Sequence, residues 1–260
     1  MTRSTQCMRT TLLIMLAGAA ATSALAWLTD AAGVVPSQPW NAWWIYGLTE
    51  TGSAHWVPLV LLLLLAAWAS DAALPQRYRR REALVLFVLL GVTLPALALV
   101  NERILKPQVK AHRPSHTTLA AAGVIPNLAE FYRLDKESRQ QFLTSQLDDA
   151  TATKVAAALG IPPLVLQVWI QESAASFPSG HALNAFLAAT LFVGAAVGRP
   201  TRRRRLLAGT MLVWALGVSW SRVLLLVHRP PDVSFGALLG VGCGVLLVLV
   251  WQRCLPFKEA

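Results

Sequence analysis

The residues best suited to chemistry include the segment Pro-Ser-Gly-His at residues 178–181, which runs directly into the apolar stretch 182–198. Ser179 stands where the N-cap residue of a helix belongs, so the first amides of that helix, including that of Gly180, lack intrahelical partners. Such a helix start attracts anions, and a glycine lets a ligand approach the backbone. His181 adds a group that donates or accepts a proton near neutral pH. The segment therefore suits a phosphate group, although an ordinary capped helix start is the commoner meaning of four such residues.

Two cations follow the apolar run that ends at residue 105. Lys106 is separated by six residues from Arg113, which precedes Pro114. Cations at this spacing can reach a common anion, the lysine as a point charge and the arginine as a planar fork for phosphate oxygens. The pair predicts a phosphate site, and nonspecific binding of lipid headgroups by a basic segment beside the membrane is the alternative.

A third group of polar residues lies near the end of a later apolar run and consists of Ser221-Arg222, His228 and Asp232. Ionisable side chains inside a membrane are costly, which makes Arg222 a candidate for function. Two prolines stiffen the turn between His228 and Asp232. We predict that Asp232 binds the Nδ1 hydrogen of His228 and leaves Nε2 facing the site, as in a base with its orienting carboxylate. An interfacial histidine beside a capping aspartate is the alternative.

Membrane helices must position these residues, because the chain is too apolar for an ordinary soluble domain. Of its 260 residues, 55% are hydrophobic and 14% are charged, and the mean hydropathy is +0.50. A net charge of +10 would suggest nucleic acid in a soluble protein, but here the basic residues follow the membrane. The cysteines lack metal-type spacing, so we expect no metal site or disulfide and free thiols at Cys7, Cys243 and Cys254.

Six apolar runs predict an all-α integral membrane protein with six transmembrane helices in a single domain, residues 1–260. The predicted spans are 10–28, 54–70, 83–105, 182–198, 206–227 and 233–251. The first is expected to be an uncleaved anchor, with a cleaved signal peptide as the alternative because residues 24–26 fit a cleavage site. The mostly polar stretch 106–177 repeats apolar residues at helical spacing, which predicts a helical outer-face insertion between helices 3 and 4.

The arginine clusters predict the orientation of these spans. They lie at the N-terminus, in loops 71–82 and 199–205 and near the C-terminus, so we expect all four places to face the cytoplasm. The end of the third span, the start of the fourth and the turn between the fifth and sixth then share the outer face. Topology is the only role predicted for the arginines, and the tryptophans of loop 29–53 are expected at the membrane interface.

The three polar groups together resemble the three-part signature of the type 2 phosphatidic acid phosphatase superfamily in order, spacing and membrane face. The matching motifs are Lys106-x6-Arg113-Pro114, Pro178-Ser179-Gly180-His181 and Ser221-Arg222-x5-His228-x3-Asp232. Nearly the whole chain also resembles the type B phosphatidylglycerophosphate phosphatases of Gram-negative bacteria, which act on undecaprenyl diphosphate as well. The positions that carry this second resemblance are Glu130-Phe131-Tyr132, and Gln171-Glu172 ahead of Phe177-Pro178.

The resemblance implies a role for each motif residue. His228 is the nucleophile that forms a phosphohistidine, Asp232 orients it, and His181 protonates the leaving oxygen and then activates water. The residues implied to hold the phosphoryl oxygens are Lys106, Arg113, Ser179, Gly180 and Arg222. Glu172 is implied to contact the substrate or to support residues that do, with a purely structural role as the alternative. No metal or other cofactor is implied, and the sequence has no acidic cluster to hold one.

Three positions depart from the pattern of the superfamily. Leu226 stands where glycine is common, two residues before the implied nucleophile, and Arg229 stands where tryptophan is frequent. Ala182 replaces a common hydroxyl residue after His181. None of these changes removes a catalytic group, but they affect the packing at the end of the fifth span and the depth of the headgroup.

The expected function is that of a metal-independent lipid phosphatase at the periplasmic face of a bacterial inner membrane, with both termini cytoplasmic. Its expected partners are the bilayer and lipid phosphates, not nucleic acid, and the oligomeric state is left open. The expected substrates are undecaprenyl diphosphate, phosphatidylglycerophosphate, phosphatidic acid and diacylglycerol diphosphate. The alternatives are a phosphotransferase that uses a lipid diphosphate as donor and a noncatalytic phospholipid-binding or transport protein.

Overall fold

The computed structural model describes residues 3–255, and within that range every regular element is helical. A π-helical turn at Asn101–Leu105 separates the fourth and fifth helices. The α-helices are α1 (Arg3–Ala31), α2 (Pro39–Glu50), α3 (Val57–Ala69), α4 (Gln76–Val100), α5 (Lys106–Val109), α6 (Pro114–Ala121), α7 (Leu128–Phe131), α8 (Lys136–Gln146), α9 (Asp149–Leu159), α10 (Pro163–Gln171), α11 (Gly180–Gly198), α12 (Arg202–Leu224) and α13 (Pro230–Cys254). The all-α prediction is therefore confirmed for the described residues.

Five helical stretches are long and apolar enough to cross a membrane: α1, α4 continued through α5, α11, α12 and α13. They correspond to five of the six predicted spans. The remaining prediction, 54–70, falls on α3, whose 13 residues reach only about 20 Å against a hydrocarbon core of about 30 Å. Pro58 lies in the first turn of α3, and the residues before Val57 form turns instead of helix. The pair α9 and α10, bent by 112°, is a further apolar candidate.

Helix α11 lies in the centre of the bundle and contacts α1, α4, α12 and α13. Its side chains are almost all buried, because small and aliphatic residues cover its whole circumference. Helix α13 comes especially close through glycines spaced four apart. A Cβ at Gly236 would lie 2.5 Å from the carbonyl oxygen of Ser179, and one at Gly240 would lie 2.3 Å from that of Leu183. Glycines at this spacing let helix backbones touch, so they bring the starts of α11 and α13 together.

The bundle has two polar ends. We call the end where α11 and α13 begin the motif end, and the end where α11 stops and α12 begins the arginine end. At the arginine end, the fully buried Arg204 pairs with Glu82, and its Nε lies 3.2 Å from the Asp71 carboxylate. Arg199 also pairs with Glu82, and Arg204 lies over the ring of Trp68. Arg199 and Arg204 therefore hold the bundle together, a structural role beyond the topology role that the sequence predicts for the arginines.

Residues 106–177, which contain α5 to α10, form the predicted insertion and cover the motif end. They build a second hydrophobic core that is separate from the core of the long helices. Its buried members include Leu119, Phe131, Leu143, Trp169, Leu225 and Val227. Two of these belong to the turn between α12 and α13, so the insertion packs directly on the segment that leads to His228.

Helix α2 carries the predicted tryptophan cluster and packs on α10 and α12. Trp40, Trp43 and Trp44 are all exposed, whereas Thr49 near the other end of the helix is buried. The tryptophans thus face away from the protein, as expected for an interfacial helix.

Candidate active site

The second and third motifs meet through their backbones. The amide of Ser179 donates a hydrogen bond to the carbonyl oxygen of Asp232 over 3.0 Å. The Ser179 hydroxyl accepts from the amide of Ala182 at 3.5 Å, so the predicted N-cap of the helix that begins at Gly180 is confirmed. The close contact of α11 and α13 therefore joins the start of the second motif to the backbone of Asp232 in the third.

The turn before His228 is held by the insertion. Three consecutive carbonyl oxygens of this turn accept hydrogen bonds: Leu225 from Trp169 Nε1 at 2.7 Å, Leu226 from the Ser115 amide at 2.8 Å and Val227 from Arg113 Nη1 at 2.8 Å. Leu226 has φ of +54°, a left-handed conformation that glycine adopts without strain. This explains why glycine suits the position, and the three hydrogen bonds show how the chain holds a leucine there.

Arg113 and Arg222 share one carboxylate, that of Glu172. Nη2 of Arg113 lies 2.9 Å from Glu172 Oε2, and Nη2 of Arg222 contacts Oε1. Both arginines are buried, whereas 24% of the Glu172 side chain is exposed. Burial raises the pKa of Glu172, but the charges of Arg222 and Arg113 outweigh it and hold that pKa well below its usual range. The two guanidinium groups therefore converge on a single ionised carboxylate that remains accessible.

Lys106, the first residue of α5, pairs with Glu102 one turn earlier, in the π-helical turn. The lysine is buried, and 42% of the side chain of its partner is exposed. All three predicted phosphate-binding cations thus contact a carboxylate that solvent can reach.

His228 and Asp232 lie close together, but the carboxylate is already engaged. Oδ2 of Asp232 accepts hydrogen bonds from the hydroxyl of Ser176 and from the amide of Arg229, the latter at 2.8 Å. It lies 3.5 Å from Nδ1 of His228, within ion-pair distance and longer than an ordinary hydrogen bond. Burial, with the charges of Arg113 and Arg222, lowers the pKa of His228 to about 3 although Asp232 opposes the shift. The imidazole is therefore neutral at physiological pH.

His181 lies one residue inside α11 with Nε2 buried and without a hydrogen-bond partner among the described residues. Its ring is packed against the turn between α2 and α3, since a Cβ at Gly52 would lie 3.2 Å from Cδ2 of His181. Asn101, which directly follows α4, approaches the neighbouring Gly180, because a Cβ there would lie 3.1 Å from Nδ2 of Asn101. The imidazole thus has a fixed position and a nitrogen free for a ligand.

A cavity of about 610 Å³ lies between α3 and α4 and reaches Gly52, the residue that packs beside His181. Its polar end is lined by Gly52, Glu102 and Asn184, and the rest of its wall is apolar, with Leu61, Leu90 and Leu94 among its residues. A space of this size and character fits a hydrocarbon chain whose polar head lies at the motifs.

The sequence did not single out several residues that hold the motif side chains. The Thr49 hydroxyl accepts a hydrogen bond from Nη1 of Arg222 at 3.0 Å, and Ser176 contacts Asp232 as described. The Tyr132 hydroxyl accepts from the amide of Arg113 at 2.8 Å and lies 2.7 Å from Nδ1 of His116. Tyr132 is part of the helically spaced pattern of the insertion and of the resemblance, neither of which indicates its contact with Arg113, and Thr49 and Ser176 are separated in sequence from the residues they contact.

His116 is buried under Arg113 in the insertion. Burial, and then the charge of Arg113, lowers the pKa of His116 to about 3, so this imidazole is also neutral. Within residues 3–255, no group of three or more His, Cys, Asp or Glu side chains has the arrangement of a metal site.

Comparisons with known proteins identify the family of this chain. Residues 84–256 match the PAP2 superfamily, which is more than half of the chain. Over 221 residues the chain is 31% identical to phosphatidylglycerophosphatase B of Escherichia coli (strain K12), covering 82% of this chain and 78% of that protein. It is 26% identical over 202 residues to phosphatidylglycerophosphatase B of Haemophilus influenzae, with 76% of each chain covered. The chain therefore belongs to the PAP2 superfamily and is a multi-pass membrane protein with lipid phosphatase activity.

Proposed function

We propose that this chain hydrolyses the terminal phosphate of membrane lipid phosphates and diphosphates through a phosphohistidine at His228. The candidate substrates are phosphatidylglycerophosphate, undecaprenyl diphosphate, phosphatidic acid and diacylglycerol diphosphate. The observation that carries the proposal is the convergence of Arg113 and Arg222 on one accessible anion, next to two histidines and the mouth of an apolar cavity. A polyanionic head with a hydrocarbon tail satisfies both halves of this site.

Substrate binding follows from the arginine pair. A phosphate that enters beside Glu172 meets two guanidinium groups whose positions are held by other contacts, Arg222 by Thr49 and Arg113 by two carbonyl oxygens. The free amides at the start of α11, around Gly180, supply further donors to the phosphoryl oxygens. Lys106 adds a third charge when Glu102 releases it. These groups favour the extra charge that the transition state spreads over the phosphoryl oxygens.

The first chemical step forms a bond between Nε2 of His228 and phosphorus. The bond from phosphorus to the lipid oxygen breaks, and its electron pair stays on that oxygen, which takes a proton from His181. Positive charge then develops on His228, and its Nδ1 hydrogen lies toward Asp232. Ser176 and the Arg229 amide keep that carboxylate in place, so only a small closure turns 3.5 Å into a hydrogen bond.

The second step releases the phosphate. His181, now neutral, accepts a proton from water, and the oxygen of that water attacks phosphorus while the bond to His228 breaks. The products are inorganic phosphate and the regenerated histidines. A neutral His228 suits this cycle, because an imidazole must have a free lone pair to attack.

The lipid tail and the membrane orientation complete the proposal. The apolar wall of the cavity between α3 and α4 accommodates an acyl or prenyl chain while the phosphate stays at the motifs. The arginine end fits the cytoplasmic side, and the motif end then faces the periplasm at the inner membrane.

The proposal is tested with the purified full-length chain and a panel of the four lipids, with a chelator present. We expect phosphate release into water without any acceptor lipid, abolition of release by His228→Ala, and an acid-labile phosphoenzyme on rapid quenching. The matched control is His55→Ala, which removes an exposed histidine that belongs to none of the three motifs and should leave the rate unchanged. Release that survives His228→Ala would refute the mechanism, and release only with an acceptor lipid would indicate a phosphotransferase.

A further inference from the structure

A second cavity lies at the arginine end, away from the candidate active site. Its volume is about 420 Å³, and side chains of α1, α11 and α12 line it. Helix α11 runs from the motifs at Gly180 to Gly198 beside this cavity, and its 19 residues span about 28 Å. The cavity is therefore separated from the active site by most of the thickness of a bilayer.

This second cavity, which we call the groove, has a floor of small residues and aliphatic walls. Ala196, Ala208 and Gly209 leave the space open, and Ile14 and Leu212 stand beside it. A Cβ at Gly209 would meet no atom within 4 Å. The groove thus offers apolar volume that no side chain of the described residues fills.

The surface around the groove faces hydrocarbon. Leu13 of α1 and Leu206 and Val213 of α12 are large aliphatic residues with well over half of their surface exposed. In a chain that crosses a membrane, such side chains contact lipid tails. The neighbour of the groove is therefore an acyl chain of the bilayer.

The mouth of the groove carries positive charge. Arg205 lines it, and Arg202 and Arg203 are exposed next to it. In the part of the chain that the structure describes, none of these three arginines pairs with a carboxylate, because the nearby Glu82 and Asp71 are taken by Arg199 and Arg204. An anionic group at the mouth would balance the charge of these arginines.

We propose that this groove binds an anionic phospholipid, with one acyl chain between α1, α11 and α12 and the phosphate at Arg205. A zwitterionic lipid of the same tail satisfies the apolar walls but not the uncompensated arginines. The site is separate from the catalytic motifs and does not depend on the proposed reaction.

The test measures binding to the full-length chain in detergent, using dioleoyl phosphatidylserine and dioleoyl phosphatidylcholine as probes. Native mass spectrometry counts retained lipids, and thermal unfolding measures the shift that each lipid causes. We expect phosphatidylserine to be retained preferentially and to raise Tm by about 2–4 °C. Equal retention of the two lipids would overturn the proposal.

Two pairs of variants locate the binding. Arg205→Gln should weaken the retention of phosphatidylserine about fivefold, the effect of one cation near an anionic headgroup, whereas Arg202→Gln, outside the groove, should change it less. Gly209→Leu should fill the groove and remove the lipid-induced Tm shift. Its control is Gly242→Leu on α13, where a Cβ also meets nothing within 4 Å. An unchanged shift in Gly209→Leu would refute the site, and phosphatase activity of both glycine variants reports that they are folded.

Discussion

Two clusters of arginines stand at opposite ends of the helix bundle and differ in charge balance and access. At the motif end, Arg113 and Arg222 share the single carboxylate of Glu172, and 24% of that side chain is exposed. At the arginine end, Arg199 and Arg204 have two carboxylates, Glu82 and Asp71, with exposures of 0% and 4%. Equal numbers of arginines thus give a balanced, closed cluster at one end and an open cluster with surplus positive charge at the other.

This difference teaches which buried charges bind ligands. A closed cluster in which carboxylates balance the arginines has no space and no surplus charge for an anion. Its ion pairs therefore contribute to stability. An open cluster with surplus charge attracts an anion and loses little stability when one partner is removed. Variants at the two ends should therefore affect different measurements.

The largest expected effect is on stability at the arginine end. Arg204→Gln should lower the free energy of unfolding by about 3–5 kcal/mol, because it leaves the fully buried Glu82 with Arg199 alone. Thermal unfolding in detergent measures this loss. The double variant Glu82→Gln with Arg204→Gln should recover part of it. A Tm equal to that of the parent protein would contradict the structural role of this cluster.

At the motif end, Arg222→Gln should lower kcat/KM by about 10²–10³-fold, the usual loss when one donor to a transition-state anion is removed. Its Tm should change little, since Glu172 retains Arg113 and contact with solvent. Steady-state phosphate release and thermal unfolding of the same preparation provide the two readouts. The comparison between the ends fails if Arg222→Gln unfolds the protein as readily as Arg204→Gln does.

Removing the hydroxyl group that supports Arg113 should have a smaller effect on stability and on phosphate binding. Tyr132→Phe removes the hydroxyl that accepts from the Arg113 amide and contacts His116, so it leaves buried polar groups without a partner. We expect a loss of about 1–3 kcal/mol in stability and a rise in the inhibition constant of inorganic phosphate. Tyr78→Phe is the control, because the Tyr78 hydroxyl makes one exposed contact of 3.4 Å. Equal behaviour of the two variants would show that the hydroxyl does not position Arg113.

The pH dependence of stability should also come from the motif end. The folded protein holds the pKa of His116 and of His228 at about 3, below the unfolded value of about 6.5. Below pH 6.5 the unfolded chain therefore binds more protons, and stability falls as pH falls. The slope approaches about 1.4 kcal/mol per pH unit for each histidine. Unfolding temperatures from pH 7 to pH 5 measure it, and His228→Gln should reduce the slope. A slope unchanged by this variant would contradict the contribution of His228 to the pH dependence of stability.

The smallest expected effect is at Leu226. Leu226→Gly should relieve the strain of the left-handed conformation, about 1–2 kcal/mol, and lose a similar amount of apolar burial and chain entropy. The net change in stability should stay within about 1 kcal/mol, whereas the β-branched Leu226→Val should be clearly destabilised. Thermal unfolding of both variants measures these changes. A greater loss of stability in Leu226→Gly than in Leu226→Val would show that the left-handed conformation of Leu226 is not strained.

Much of this arrangement could be read from local patterns. Apolar runs of the length of a bilayer predicted the long helices, because hydrocarbon leaves a backbone few ways to satisfy its hydrogen bonds. The place of Ser179 before an apolar stretch predicts an N-cap, and helical spacing of apolar residues predicts the insertion. Each of these features depends on residues close together in the chain. The motifs are recognisable by the spacing of their residues along the chain, which does not depend on how the helices pack.

The tertiary structure alone decided which charges meet. Glu172 lies 59 residues from Arg113 and 50 from Arg222, and no local pattern shows that it joins them. The same holds for Glu82 with Arg204, for Thr49 with Arg222 and for the glycines that bring α13 onto α11. Such pairings depend on how whole helices pack, since a buried charge needs a partner that only neighbouring elements can bring. The sequence therefore specified the chemical groups and their helices, and packing determined which arginines form a closed structural cluster and which remain open to an anion.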